Sequence, residues 1–237
     1  MDEISYLRNR LEVKENEENR FQKYLLSLGI DKCIEMYEDI TELIELDQIN
    51  FSIFEQFMIY DQRLSCILFS MLKNQENYVK AFLSNYFNNY RVQIEERESN
   101  YTKTKYYFKI PVGKNEFLDI RTFSYEYGPV DYYDAIKTLD FGDINLIMSH
   151  LPTKIIEKFS DNPNIISDLD NTRKLRNYVY HHNILFSLGK ETLTKLIKII
   201  LKNIPDEKIK ELYIEEINAL KYNEDNTKID ERLTINL

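Results

Sequence analysis

Glycine and proline are scarce in this chain, five of each among 237 residues. Turn-rich all-β folds lean on both, so their scarcity favours long helices. Tryptophan is absent, and only two cysteines occur, Cys33 and Cys66. Two thiols so far apart form neither a disulfide framework nor a metal knuckle, and both are expected to be reduced. No uninterrupted apolar run of about 18 residues exists, which argues against a membrane span. The stretch from Asp2 to Arg20 is charged and has no signal-peptide apolar core, so a cytoplasmic protein is expected. Glycine-rich phosphate fingerprints are missing, as are H-E-x-x-H and Cys/His clusters. Neither P-loop, dinucleotide nor zinc chemistry is expected, and no cofactor or metal is assigned.

What is present suits one large domain, or one domain with an embellishment, around a real core: 43% of residues are hydrophobic and 30% charged. The net charge of −9 does not advertise a nucleic-acid binder, so any RNA contact needs a local basic patch. The run from Lys190 to Lys202 is the best candidate. It sets Lys190, Lys195, Lys198 and Lys202 against one acid, Glu191. A solvated helix face explains the same run equally well.

Hydrophobic spacing organises the chain. Residues 1–50 read as an N-terminal helical arm, with a helix from Asp31 to Leu46, and Ser52 to Tyr90 carries a long helical stripe. Aromatic and β-branched residues then flank Gly113-Lys114-Asn115, which predicts a β-hairpin or extended loop within an insertion over about 92–130. Helices resume near Tyr132, break near Pro152, and continue over 165–188 with Gly189 as a C-cap. Leu193 to Leu201 is helical, Pro205-Asp206 opens another helix, and 223–237 reads as a polar, mobile tail. The expected fold is mostly α, a helical bundle with a small β-hairpin insertion.

Two of only three histidines stand together in Leu175-Arg176-Asn177-Tyr178-Val179-Tyr180-His181-His182-Asn183. An arginine that binds phosphate and a histidine that moves a proton are what metal-free RNA cleavage needs. The arginine–histidine spacing alone arises readily by chance. On a straight helix, residues five apart point about 140° apart. Asn177 and His181 therefore share a face, whereas Arg176 must reach round or the helix must end near His181. A pair of histidines capping a helix C-terminus is the bland alternative. His150, the third histidine, stands apart and reads as structural.

The surrounding sequence adds specificity. Leu175 to Leu185, Leu-Arg-Asn-x-x-x-His-His-Asn-x-Leu, resembles the signature of Abi-like (AbiD/AbiF type) abortive-infection proteins, within the HEPN group of helical ribonucleases and nucleotide-binding domains. Ile59-Tyr60-Asp61-Gln62-Arg63-Leu64, continuing to Glu76 and Lys80, is similar to that family's aspartate-led helix. Thr138 to Ile144 is similar to its Phe-Gly segment ahead of the next helix. These blocks place an HEPN-like Abi domain at about 51–205, followed by a C-terminal helix and tail at 206–237. Ser65 departs from the basic residue usual there, and Asn183 replaces the tyrosine of the HEPN subgroup paired with nucleotidyltransferases.

The resemblance implies a metal-independent endoribonuclease, working as a homodimer with two motifs face to face. The protein would act in antiphage defence or a toxin–antitoxin arrangement, restrained by an RNA or protein inhibitor. Under it, His181 transfers protons, Arg176 stabilises the phosphate and Asn177 orients. His182, Glu76, Lys190 and Lys195 are candidates for support or RNA binding, with Glu76 as a possible brace for Arg176 or His181 if its helix packs beside the motif. The other reading is a non-catalytic dimeric module that binds RNA or nucleotide through the same residues, which the acidic net charge favours.

Overall fold

The computed structural model describes residues 2–90, 93–100, 103–113, 116–124, 136–222 and 228–237. The fold is mostly α with a small antiparallel sheet. Two compact units divide the chain: residues 1–71 with 177–237, and residues 72–176. The divisions fall inside two continuous helices.

In the first unit, α1 (Glu3–Arg10) is capped by Asp2, whose carboxylate accepts from Ser5 N at 2.7 Å. Helices α2 (Glu18–Leu28) and α3 (Ile30–Ile44) follow, separated by Gly29 at φ +85°, a left-handed turn that glycine takes without Cβ strain. These residues bury Leu7, Leu11, Phe21, Met36, Ile40 and Ile44. Phe21 meets Phe51 edge-on, 6.0 Å between centroids, at the start of α4 (Phe51–Tyr90). Asn50 starts that helix by accepting from Ile53 N at 3.0 Å. Gly189, at φ +77°, closes a 3-10 turn (Leu185–Leu188) and opens α8 (Lys190–Lys202), which Asp206-capped α9 (Glu207–Ala219) follows. Their buried stripe is Leu193, Ile197, Ile200 and Leu201 with Tyr213 and Ile217.

In the second unit, β1 (Gln93–Asn100), β2 (Lys103–Gly113) and β3 (Glu116–Ser124) form an antiparallel sheet in that order. The expected hairpin is β2–β3, closed by pairing of Gly113 with Glu116. β1 is an addition that its polar sequence did not signal. β2 is central yet contains Pro111, which has no N–H to donate. The ladder to β1 ends at the Gln93–Lys109 pair, so Pro111 lies beyond it, beside an irregularity in the β2–β3 register. Ile110 and Ile120 pack into a core with Val79, Leu83, Phe87, Leu139 and Phe141.

α5 (Phe141–His150) begins with a reciprocal box: Asp140 accepts from Asp143 N at 2.8 Å, and Asp143 accepts from Asp140 N at 3.3 Å. Gly142 sits inside it, where a Cβ would lie 3.0 Å from Asp140 Oδ1. That crowding favours glycine at position 142. Pro152 then separates α5 from α6 (Thr153–Phe159), at the expected break. The expected onset of helix at Tyr132, and the tail residues 223–227, lie outside the described residues.

Residues 228–237, read from sequence as part of a mobile polar tail, are packed instead. Ile229, Leu233 and Ile235 are buried, and Tyr60 Oη accepts from Ile235 N at 2.7 Å. Arg232 Nη1 donates to Ile44 O at 2.7 Å. The apolar residues here are too few and unevenly spaced to announce a helix or strand, so composition alone suggested solvent. Tyr60→Phe leaves the buried Ile235 N–H without its acceptor. It should cost about 1–3 kcal/mol in urea denaturation; an unchanged midpoint would show that this segment is not held there.

Candidate functional site

α7 (Ile165–Tyr180) carries Arg176 and Asn177 in its last two turns. Its end is built by a paired backbone closure. Asn183 N donates to Tyr178 O at 3.2 Å, and His182 N donates to Val179 O at 3.1 Å. This is a Schellman motif, and it requires a left-handed residue at the position His182 occupies, at φ +53°. Glycine usually stands there; a side chain costs about 1 kcal/mol. His181 is therefore the residue that caps the helix, its N–H still donating to Asn177 O at 3.1 Å. His181, His182 and Asn183 are all exposed, whereas Arg176 and Asn177 are half-buried.

The chain beyond the cap is anchored to α4. Asp61, 6% exposed, accepts from Leu185 N at 3.1 Å. Burial pushes its carboxyl up to about 7, opposed by the backbone N–H groups of Leu185 and Phe186. Phe186 also packs edge-on against Phe57 at 4.9 Å. From the other side, Lys32 on α3 donates its ammonium to the His182 carbonyl. A carboxylate and an ammonium thus fix the two ends of the short segment from His182 to Leu185.

Between these anchors lies a cavity of about 690 Å³. Leu28, Met36, Met58, Val179 and Ile184 make its apolar wall, with Lys32, Asp61, Gln62, Ser65, His182 and Asn183 as polar points. Phe69, 46% exposed, lies at this cavity and stacks on Tyr180 at 4.7 Å. The sequence reading missed this site. One signal was available: Asp61 interrupts the apolar stripe of Phe54, Phe57, Met58, Leu64 and Leu68 on α4, where a lone acid needs a partner.

The remaining candidates sit as follows. Arg176 and Glu76 belong to the second unit, and Asn177, His181, His182, Lys190 and Lys195 to the first. Glu76 is buried and pairs with Lys80 at 2.8 Å and Lys73 at 3.7 Å. Lys190 Nζ donates to Glu231 O at 2.6 Å and Arg232 O at 3.2 Å, holding the C-terminal segment. Lys195 and Lys198 are exposed along a shallow groove of α8 with Thr194 and Ile199. His150 Nδ1 lies 2.8 Å from Leu146 O at the end of α5. Among the described residues, no three His, Cys, Asp or Glu side chains gather as metal ligands, and no helix is long and apolar enough to cross a membrane.

The family model for Abi-like proteins matches residues 19–187, and the chain belongs to that family. The match takes in α2 and α3, which the motif resemblance had left out, and ends just past the Asp61-anchored segment. Family membership points to abortive-infection defence. No curated protein and no solved structure matches the chain.

Asp61 supplies a pH test of the anchor. Its ordinary carboxyl value is 3.8, so from about pH 4 to about pH 7 the folded protein holds a proton that the unfolded chain has released. Stability should fall as pH rises through that window and level off above it. Asp61→Asn keeps an oxygen for Leu185 N–H but removes the share of the slope due to Asp61, at most about 1.4 kcal/mol per pH unit, while Asp39, raised to about 6, keeps its own. Urea midpoints of both proteins between about pH 4.5 and about pH 6.5 should therefore diverge in the variant's favour. A gap that does not change with pH contradicts this.

Proposed function

We propose that this protein is a metal-independent endoribonuclease of abortive-infection defence, acting as an HEPN-like homodimer in which two Arg-Asn-x-x-x-His motifs face each other. The observation that carries the reading is the end of α7. Asn177 and the exposed His181 stand four residues apart in its last turn, and the Schellman closure ends the helix at His181.

The chemistry follows from the side chains. RNA carries its own nucleophile, the ribose 2′-OH. A histidine near neutrality takes that proton as general base, and a second histidine protonates the leaving 5′-oxygen, each step contributing about 10²–10⁴-fold. One motif supplies one histidine at His181, so a symmetric dimer gives a physical reason for a composite site. Arg176 presents the planar fork of its guanidinium to the phosphate as negative charge builds. Asn177 orients the same group. Lys195 and Lys198, exposed on α8, are the candidates for phosphates further along the strand. Lys190 is assigned to holding the C-terminal segment, and Glu76 to its pair with Lys80. Restraint by an RNA or protein inhibitor belongs to this reading, as an intracellular nuclease must be held in check.

The test is incubation of the purified protein with total cellular RNA in EDTA, beside Arg176→Ala and His181→Ala. Cleavage is expected from the wild type alone, leaving 2′,3′-cyclic phosphate and 5′-hydroxyl ends. An absolute requirement for Mg²⁺, or 5′-phosphate ends, would sink the mechanism. RNA binding by all three proteins without cleavage would favour a non-catalytic binding module instead.

A further inference from the structure

We propose that the cavity beside His182 is a base-recognition site for guanine, which stacks on Phe69 and places its Watson–Crick donors on the carboxylate of Asp61. The inference rests on the ribonuclease reading only for the source of that base, since an RNA strand and a free nucleotide present the same edge.

The lining selects the ligand class. A volume of about 690 Å³ with mostly apolar walls and a few convergent polar groups is ordinary for a small-molecule site. An anionic group inside the cavity fits poorly, so the phosphate of a nucleotide stays outside it. Lys32 is the single cation among the lining residues, its ammonium already donates to the His182 carbonyl, and Asp61 repels negative charge. A purely apolar ligand fits no better, because it would strip Asp61, Gln62, Ser65 and Asn183 of water without replacing it. A flat, uncharged group with an edge of hydrogen-bond donors satisfies both walls.

Phe69 supplies the platform. A phenylalanine nearly half exposed, yet held by stacking on Tyr180, is an aromatic surface prepared in advance. Extending such a stack by one base is worth about 1–3 kcal/mol. Asp61 supplies the reading group. Once ionised, above about pH 7, the carboxyl group has about four acceptor positions, and the backbone N–H groups of Leu185 and Phe186 leave capacity for a ligand. Guanine offers two parallel donors, N1–H and N2–H₂, matched to such a fork. Adenine and cytosine place an acceptor beside their single amino donor, and uracil flanks its one donor with acceptors; each meets the carboxylate with like partial charge.

Cys66 makes the proposal testable on the intact protein. Its thiol is exposed at the cavity, while Cys33 is buried with its thiol pushed up to about 11, so alkylation reports on Cys66 alone. The rate of Cys66 modification by iodoacetamide is measured by peptide mass at about pH 8, where Asp61 is ionised, with each of GMP, AMP, CMP and UMP. The RNA pentamers UUGUU and UUUUU are then compared in the His181→Ala protein, so that the strands stay intact. GMP is expected to slow the reaction about fivefold at about four times its Kd, with little effect from the other three, and Phe69→Ala should lose that protection while keeping its circular dichroism. Protection by GMP and UUGUU but not UUUUU assigns the base to an RNA strand. Protection by GMP alone assigns a free guanine nucleotide. No protection by GMP, equal protection by all four nucleotides, or protection unchanged in Phe69→Ala overturns the proposal. Cleavage is not read in this experiment, so the base site and the ribonuclease can fail separately.

Discussion

The hydrogen bond from Leu185 N–H to the buried carboxylate of Asp61 is the constraint on which the candidate site depends. It joins the middle of α4 to the chain just beyond the α7 motif, across 124 residues of sequence. Without it, the segment after His182 would lose its buried polar anchor to α4 and keep only the Lys32 bond and the packing of Phe186 on Phe57. The desolvation of Asp61 is a standing cost, offset by backbone N–H groups and by the charge of Lys32. Proteins keep such costs where geometry matters more than stability.

The consequence of that anchor is a helix that stops abruptly at a histidine. Had α7 continued to Gly189, Arg176 and His181 would have been held about 140° apart around one rod. The Schellman closure instead ends the helix at His181, which keeps its bond to Asn177 O and stays exposed at the terminus. The same closure strains His182 and turns its carbonyl to Lys32. One local motif thus leaves a histidine exposed, roofs a cavity and ties two helices. The α8 lysines divide by the same logic: Lys190 is spent on carbonyls of the C-terminal segment, and Lys195 and Lys198 remain on the surface.

Much of this was legible in the sequence where the signal is local. The apolar stripe of α4, the break at Pro152, the turn at Gly113 and the Arg176–His181 stretch each declare themselves within a few residues. β1 did not, because Gln93 to Asn100 is polar and its pairing with β2 carries no alternation to read. Residues 228–237 did not, because Ile229, Leu233 and Ile235 bury through a 3-10 turn and long-range bonds to Tyr60, Ile44 and Lys190. The motif residues were visible, but the cavity beside them was not. Lys32, Asp61, Phe69 and His182 come from three separate stretches of chain, and only the folded backbone brings them to one place.

The central claim is that the protein supplies proton transfer and phosphate stabilisation while the RNA supplies the nucleophile. The most direct measurement replaces the ribose 2′-OH by hydrogen at a single mapped cleavage site in an otherwise unchanged RNA. The account predicts that cleavage at that site stops while binding of the RNA is retained. Continued cleavage at the deoxy position would contradict it, because the nucleophile would then have to come from water or from the protein.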